Sequence, residues 1–359
     1  MFVALRDIGF AKGRFALIGS VVALITLLVG FLTGLTAGLG NQNISSVMAM
    51  KADTVVFSQP LDGEKADWNA SQITPAMLAS WKNNPDIAKA EPLGIQRAKA
   101  SASKDAPVVL FGVNASSTVA GEAPSGNGMI RLSLNAASDL NAKSGDMVTI
   151  GKKQYTVEQV SEESWYEHSP VIRMTISDLK VYSESIGQPD NFANVILVEK
   201  KNADADLVTL DSEAGTVSKS KLESYTALST FKSEIGSLGL MIAMLFGISA
   251  LVIGAFFTVW TIQRKPDIAV LKALGASTSS LVRDSLSQAF IILFLGISSG
   301  MLATIALGTL AGAALPFIIT PLTMGVPAVL MLITGLAGAG FASRSVVTAD
   351  PLTALNASR

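Results

Sequence analysis

No charged residue occurs between Arg14 and Lys51, between Glu234 and Arg264, or between Asp284 and Arg344. A predominantly apolar run of about 20 residues crosses a bilayer as a helix. The first stretch holds one such span, FALIGSVVALITLLVGFLTGLTAGL from Phe15, and the second holds one from about Leu238 to Ile262. The third is long enough for two, at about Leu286–Leu310 and Val326–Phe341, separated by the proline-rich turn LPFIITPLTMGVP. Between the first two spans the pattern changes. DTVVF, PVVLFGV, MIRLSL, DMVTIG, QYTVEQV, PVIRMTI and ANVILVE are short β-rich runs set between turn signals. ITPAMLASWKNNPDI predicts a capped helix, with Pro75 in its first turn and Pro85 beyond its end. STVAGEAPSGNG from Ser117 predicts a surface loop. NQNISSVMAMKADTVVF leaves the membrane as a polar, helical stalk, and SKLESYTALSTFKSEIG predicts a helix running back into it.

The predicted fold class is an α-helical membrane protein with four transmembrane helices and one large α+β extracytoplasmic domain between the first two. Its segments are a cytoplasmic amphipathic helix 1–14, a first span 15–40, an outer domain 41–235 and a second span 236–262. A cytoplasmic loop 263–285, spans three and four in 286–342 and a cytoplasmic tail 343–359 complete it. In the N-terminal segment Phe2, Leu5 and Ile8 recur at helical spacing, with Arg6 and Lys12 elsewhere on the wheel, which suits the membrane surface.

Composition agrees: 15% of the 359 residues are charged, against about 25% in soluble proteins. The first apolar run is about twice the length of a signal-peptide core, and no clear cleavage site follows it, so it is expected to remain as a span. Orientation follows from lysine and arginine near the spans. The N-terminal segment, the 263–285 loop and the tail together carry nine basic and four acidic residues. That leaves 18 of the 27 basic and 24 of the 28 acidic residues elsewhere, almost all between spans one and two. Both termini and the 263–285 loop are therefore expected inside, with the large domain outside. With no cysteine, that domain depends on its core alone for stability, and it is large enough to have one.

Gly30, Gly34 and Gly38 in span one form a doubled G-x-x-x-G, and Gly296/Gly300 and Gly308/Gly312 repeat the spacing in span three. Such ridges let helix backbones approach closely, within or between subunits.

The chain has no P-loop, and its single histidine rules out H-E-x-x-H. Its G-x-S-x-G string at 296–300 falls inside the third apolar run rather than on a strand-to-helix elbow, and it has no C-x-x-C. Nothing supports an enzyme, and nothing in the charge pattern points to nucleic acid. The loop after span two, RKPDIAVLKALGAS, predicts a short helix. Pro266 suits its first turn, Asp267 its N-terminus and Gly275 its C-cap, with Ile268, Leu271, Lys272 and Leu274 between. A helix this short is unstable alone in water and must dock on lipid or on a partner protein.

That loop resembles the cytoplasmic loop of the MacB/FtsX-like ABC transporter permeases, whose pattern there is R/K-x-x-[DE]-I/F-x-[VL]-L-[KR]-A-L/I-G-A-[ST]. ALRDIGFAKGRFALIG, the large domain between spans one and two, and ADPLTAL after span four extend the similarity over most of the chain. Within the family, SWYEHSPVIRMTISDL and the chain length are similar to the haem-efflux permeases of Gram-positive bacteria. The resemblance implies a homodimeric permease in the bilayer, partnered by two copies of a separate ABC ATPase that binds ATP. It implies a coupling helix at 266–276 and haem as the transported substrate, entering from the outer leaflet. Export of another amphiphile (a peptide, an antibiotic, a lipoprotein) or a non-transporting, mechanotransmitting role are the alternatives.

Iron is commonly ligated by His, Met, Tyr or Cys. Glu234 is the last charge before span two, and Phe231 lies one turn earlier on the same face. A carboxylate at the membrane boundary is either a functional group or a solvated charge. Met48, Met50 and Tyr225 are further candidates. His168 is expected to lie far from the membrane, as a ligand or as a structural histidine.

Overall fold

The computed structural model describes residues 12–115, 117–189, 192–202 and 205–342. The expected surface helix at the N-terminus, up to residue 11, and the tail 343–359 lie outside the described residues. The helices are α1 Lys12–Met48, α2 Pro75–Asn83, α3 Leu134–Leu140, α4 Ile176–Ser185, α5 Val208–Ala214 and α6 Lys221–Tyr225. They continue with α7 Ser229–Gln263, α8 Lys265–Ala273, α9 Thr278–Ala311 and α10 Pro321–Ala342. The strands are β1 Thr54–Ser58, β2 Ile87–Ser101, β3 Asp105–Val113, β4 Met129–Ser133 and β5 Met147–Ile150. β6 Lys153–Ser161, β7 Trp165–Tyr166, β8 Ser169–Thr175, β9 Val195–Lys200 and β10 Thr216–Ser220 follow. Two compact units result: Leu39–Ile235, and Met1–Gly38 with Gly236–Arg359.

In the second of these units α1, α7, α9 and α10 are long and apolar enough to cross a membrane. Its core gathers Val22, Val29, Ile253, Phe257, Leu293 and Met331. The glycine ridges pack within the chain. A Cβ on Gly30 would lie 3.0 Å from Thr304 Oγ1 of α9. On Gly296 it would lie 2.8 Å from Val22, and on Gly300 2.5 Å from the Ala23 carbonyl, both of α1. Phe317 fills the notch between Gly34 and Gly308, where added Cβ atoms would lie 2.4 and 2.3 Å from its ring. The Ile318 N–H donates to the Gly34 carbonyl (3.1 Å). The turn between spans three and four is shorter than the sequence suggests. Helix resumes at Pro321, where a ring without an N–H costs nothing, and Pro327 lies inside α10. A proline within a membrane helix is tolerated when neighbouring groups satisfy the freed carbonyl.

The other unit is built on one sheet in the order β10-β1-β9-β2-β3-β8-β4-β6-β5. The end of β2 also pairs with β5, Ala100 opposite Ile150. Strands β2, β3, β8, β4, β6 and β5 therefore close a ring. Leu110, Ile130, Leu132, Val148, Tyr155 and Ile172 fill its core. The 15-residue β2 serves both parts: Leu93 and earlier residues pair with β9, and Gly94 onward with β3. A second core joins Val55, Phe57 and Trp68 to Ile44, Val47 and Met50.

The seven predicted strands are β1, β3, β4, β5, β6, β8 and β9. β2, β7 and β10 have no clear sequence signal. Pro92 and Gly94 interrupt β2 and Lys89, Arg97 and Lys99 dilute its apolar alternation. The predicted helix from Ser220 is broken, contrary to expectation. α6 ends at Tyr225 and α7 starts at Ser229, because Ala227 and Leu228 turn inward to the core.

Candidate functional site

The turn joining β7 to β8 has two residues, Glu167 and His168, with Tyr166 paired to Ser169. Both have left-handed backbones, φ 44° and 61°. Such turns favour Asn-Gly, and a left-handed residue with a Cβ costs roughly 1–2 kcal/mol. Contacts with α1 offset that cost. The Glu167 N–H donates to the Asn43 carbonyl and the His168 N–H to the Gln42 carbonyl, both at 2.9 Å. The Trp165 N–H donates to Ser45 Oγ (2.9 Å). The Glu167 carboxylate is buried and accepts from Arg97 Nη2 (2.5 Å), Asn69 Nδ2 (3.0 Å) and Thr230 Oγ1 (2.9 Å). The strained turn is thereby pinned to α1 through its backbone and to the first residues of α7 through a side chain.

Next to it lies a three-residue polar cluster. His168 Nε2 is 2.9 Å from Glu234 Oε1, and Asn43 Nδ2 donates to Glu234 Oε2 at 2.7 Å. Asn43 Nδ2 also lies 3.1 Å from His168 Nε2. One ring nitrogen cannot donate to Glu234 and accept from Asn43 at once. A proton on Nε2 satisfies the carboxylate, and Asn43 then donates to Glu234 alone. Asn43 is fully buried, and its Oδ1 has no hydrogen-bond partner among the described residues. A buried acceptor without a donor is costly and marks a site that a further group can complete. Glu234 and His168 are each about one-third exposed, so the cluster is reachable from outside.

Phe231 and Tyr225 stand edge to face, 6.4 Å between ring centres, and pack on the core beside Ile44 and Val47. α1 and α7 come close here: a Cβ on Gly40 would lie 3.3 Å from Ile235 and 3.8 Å from Phe231. Burial pushes the Tyr225 phenol above its ordinary pKa, which disfavours a phenolate. Lys221 Nζ donates to the carbonyls of Met48 (2.9 Å) and Met50. That caps the C-terminus of α1, as cations near a helix end do.

His168 corrects an expectation. Expected far from the membrane, it sits against Glu234, the last charge before the second apolar run, because the β7–β8 turn returns to α1. Met50 is corrected too: it is 3% exposed in the core, which removes it from the ligand candidates, whereas Met48 is exposed. Sequence reasoning passes over Asn43 and Gly40. The signal was there, three consecutive amides, Asn41-Gln42-Asn43, directly after the glycine ridge.

Far along the chain, α8 has Pro266 and Asp267 in its first turn and ends at Ala273. The Gly275 N–H donates to Lys272 and the Ala276 N–H to Leu271, both at 3.0 Å, with Gly275 at φ +95°. This is a complete Schellman closure. Ile268 and Ala269 are buried, while Val270, Leu271 and Leu274 are exposed. Arg264, just before α8, donates to Gln288 Oε1 of α9 (3.1 Å) and lies over the Trp260 ring.

Residues 239–351 match the model of the FtsX-like permease C-terminal family. About a third of the chain is thus similar to an FtsX-like permease domain. It is similar over 99% of its length to a protein named as a hemin transport system permease, HrtB, of Staphylococcus haemolyticus, with 27% identity over 99% of that protein. A Staphylococcus epidermidis protein of the same name is 24% identical, again over 99% of each chain. An uncharacterized ABC transporter permease of Mycobacterium tuberculosis is 24% identical over 99% of both chains. Among solved structures, the extracellular domain of the noncanonic ABC-type transporter YknZ from Gram-positive bacteria covers 46% of this chain and 98% of its own, at 17% identity and TM-score 0.34. The periplasmic region of MacB from Actinobacillus actinomycetemcomitans covers 49% of this chain and 92% of its own, at 13% identity and TM-score 0.37. Among the described residues, four apolar helices are long enough to cross a membrane, and an α+β domain lies between the first two.

Proposed function

We propose that this permease exports haem from the membrane, powered by a separate ATPase. The observation that carries the proposal is the Asn43–His168–Glu234 cluster with Phe231 and Tyr225 beside it. Glu234 is the last charge before the apolar run of α7. An imidazole nitrogen, a carboxylate and an aromatic pair suit a ferric porphyrin: the carboxylate, or Nε2 once its proton is displaced, reaches iron, and the rings stack on the macrocycle. Met48 is a further soft ligand. The relatives named for hemin transport, similar over the full length, support the same reading.

In this proposal the basic flanks place both termini and α8 in the cytoplasm and the α+β domain outside. Two permeases pair, with two ATPase subunits beneath them. α8 is the coupling helix, and its exposed Val270, Leu271 and Leu274 dock on the ATPase. ATP-driven closure of the ATPases shifts α8. Haem enters laterally from the outer leaflet between the first two spans of the paired protomers and leaves outward, without an aqueous pore.

The test is the absorption spectrum of the purified permease–ATPase complex titrated with haem. A saturable, shifted Soret band is expected, and Glu234→Ala and His168→Ala should each move it or abolish it. A band unchanged in both variants would remove haem from this cluster. Absence of binding would favour another amphiphile or a mechanotransmitting role.

A further inference from the structure

A second polar site lies in the α+β unit. Arg131 of β4 and Arg173 of β8 are directly opposite in an antiparallel pair. Like charges in that register repel unless anions answer them. Arg131 is answered, by Glu122 (Nη1, 2.7 Å) and Glu158 (Nε, 3.5 Å). Arg173 is not. It is 7% exposed, and among the described residues no carboxylate lies within ion-pair distance of it. Among the described residues one of its five N–H donors is used, a long bond from Nη2 to Ser164 Oγ (3.4 Å), and Nε has no partner there. A buried cation left this way is strongly unfavourable. Burial lowers the pKa of the guanidinium and the Arg131 charge lowers it further, against the pull of Glu122.

Arg173 also lines a cleft of about 860 Å³. Ser117, Thr118, Ser161 and Ser164 bring hydroxyls to its walls, and Lys51 a second cation. Gly121, at φ +96°, leaves the guanidinium uncovered; a Cβ there would lie 3.6 Å from Nε and Nη2. Glu122, Glu162 and Glu163 add negative charge to the same walls. A ligand with several negative charges is repelled by these carboxylates, whereas a single carboxylate can reach the arginine between them.

We propose that this cleft is a binding site for a small monocarboxylate or zwitterion, such as a peptide's C-terminal end, with Arg173 as the anchor. The site is separate from the Asn43–His168–Glu234 cluster. The hydroxyls supply hydrogen bonds to the ligand's polar backbone, and the surrounding glutamates favour an accompanying positive group.

The test uses the full chain in zwitterionic-lipid nanodiscs and follows unfolding by tryptophan fluorescence. Acetate and glycylglycine are the probes, and glycinamide, which has no carboxylate, is the control. The wild type should gain several degrees in Tm, saturably, with acetate and glycylglycine but not with glycinamide. Arg173→Met should start at an equal or higher Tm without ligand, because an unanswered buried charge is gone, and should not respond. Arg173→Gln should also lose the response. Equal responses in wild type and variants, or none in the wild type, would overturn the proposal. So would a drop of several degrees in ligand-free Arg173→Met, since the arginine would then be serving the core.

Discussion

Leu271→Asp is expected to abolish ATP-driven transport and substrate-stimulated ATPase activity while leaving the protein in the membrane at its normal level. The expectation rests on the shape of α8. Its Schellman closure uses only the Leu271 backbone carbonyl, not the side chain, and Ile268 and Ala269 carry its burial against the rest of the chain. The Leu271 side chain is 37% exposed, with Val270 and Leu274 exposed beside it. An apolar surface on a segment flanked by Arg264, Lys272 and Arg283 serves a partner rather than the fold. Burying a leucine contributes about 1.5–3 kcal/mol, and an aspartate in the same place adds a desolvation penalty. Together these reduce coupling on the order of 100-fold or more. Membrane level by immunoblot and ATPase activity with and without haem separate the two effects. Intact coupling in the variant would refute the coupling-helix assignment.

The second large effect is on assembly. Gly38→Leu should prevent the membrane unit from folding, because a Cβ there would lie 1.6 Å from the Pro316 carbonyl oxygen and 2.3 Å from its carbon. Backbone cannot move aside as a flexible side chain can. Gly34→Leu meets the Phe317 ring instead, at 2.4 Å, and should cost about 3 kcal/mol or more by forcing the wedge out. Gly239→Ala is the control, since nothing lies within 4 Å of its Cβ position. Yield of monodisperse protein and thermal midpoint report the difference. Normal assembly of Gly38→Leu would show that α1 does not pack on the 316–318 segment.

These particulars show where sequence is informative. Spans can be read because lipid demands long uncharged runs, and seven strands because β-branched residues cluster between turn signals. α8 could be placed and oriented from one proline, one aspartate and one glycine. The candidate site was half legible. Glu234, Phe231 and Tyr225 stand on or beside the descending helix, so local position reveals them. His168 is 66 residues away in sequence from Glu234 and joins it only because a left-handed Glu-His turn points the hairpin at α1. No local signal encodes that turn, since Asn-Gly is absent and the strain is offset by long-range contacts with Asn43, Gln42, Arg97 and Thr230. The same holds for Arg173, whose arginine neighbour across the ladder belongs to a strand 40 residues earlier.

The most direct test of haem export is transport itself. The permease and its ATPase, reconstituted into liposomes loaded with haem, are given ATP, and haem leaving the bilayer is captured by an external haem-binding protein and read by its Soret band. Export predicts ATP-dependent transfer that is lost in Glu234→Ala. Haem that leaves at the same rate without ATP, or with Glu234 replaced, would contradict it.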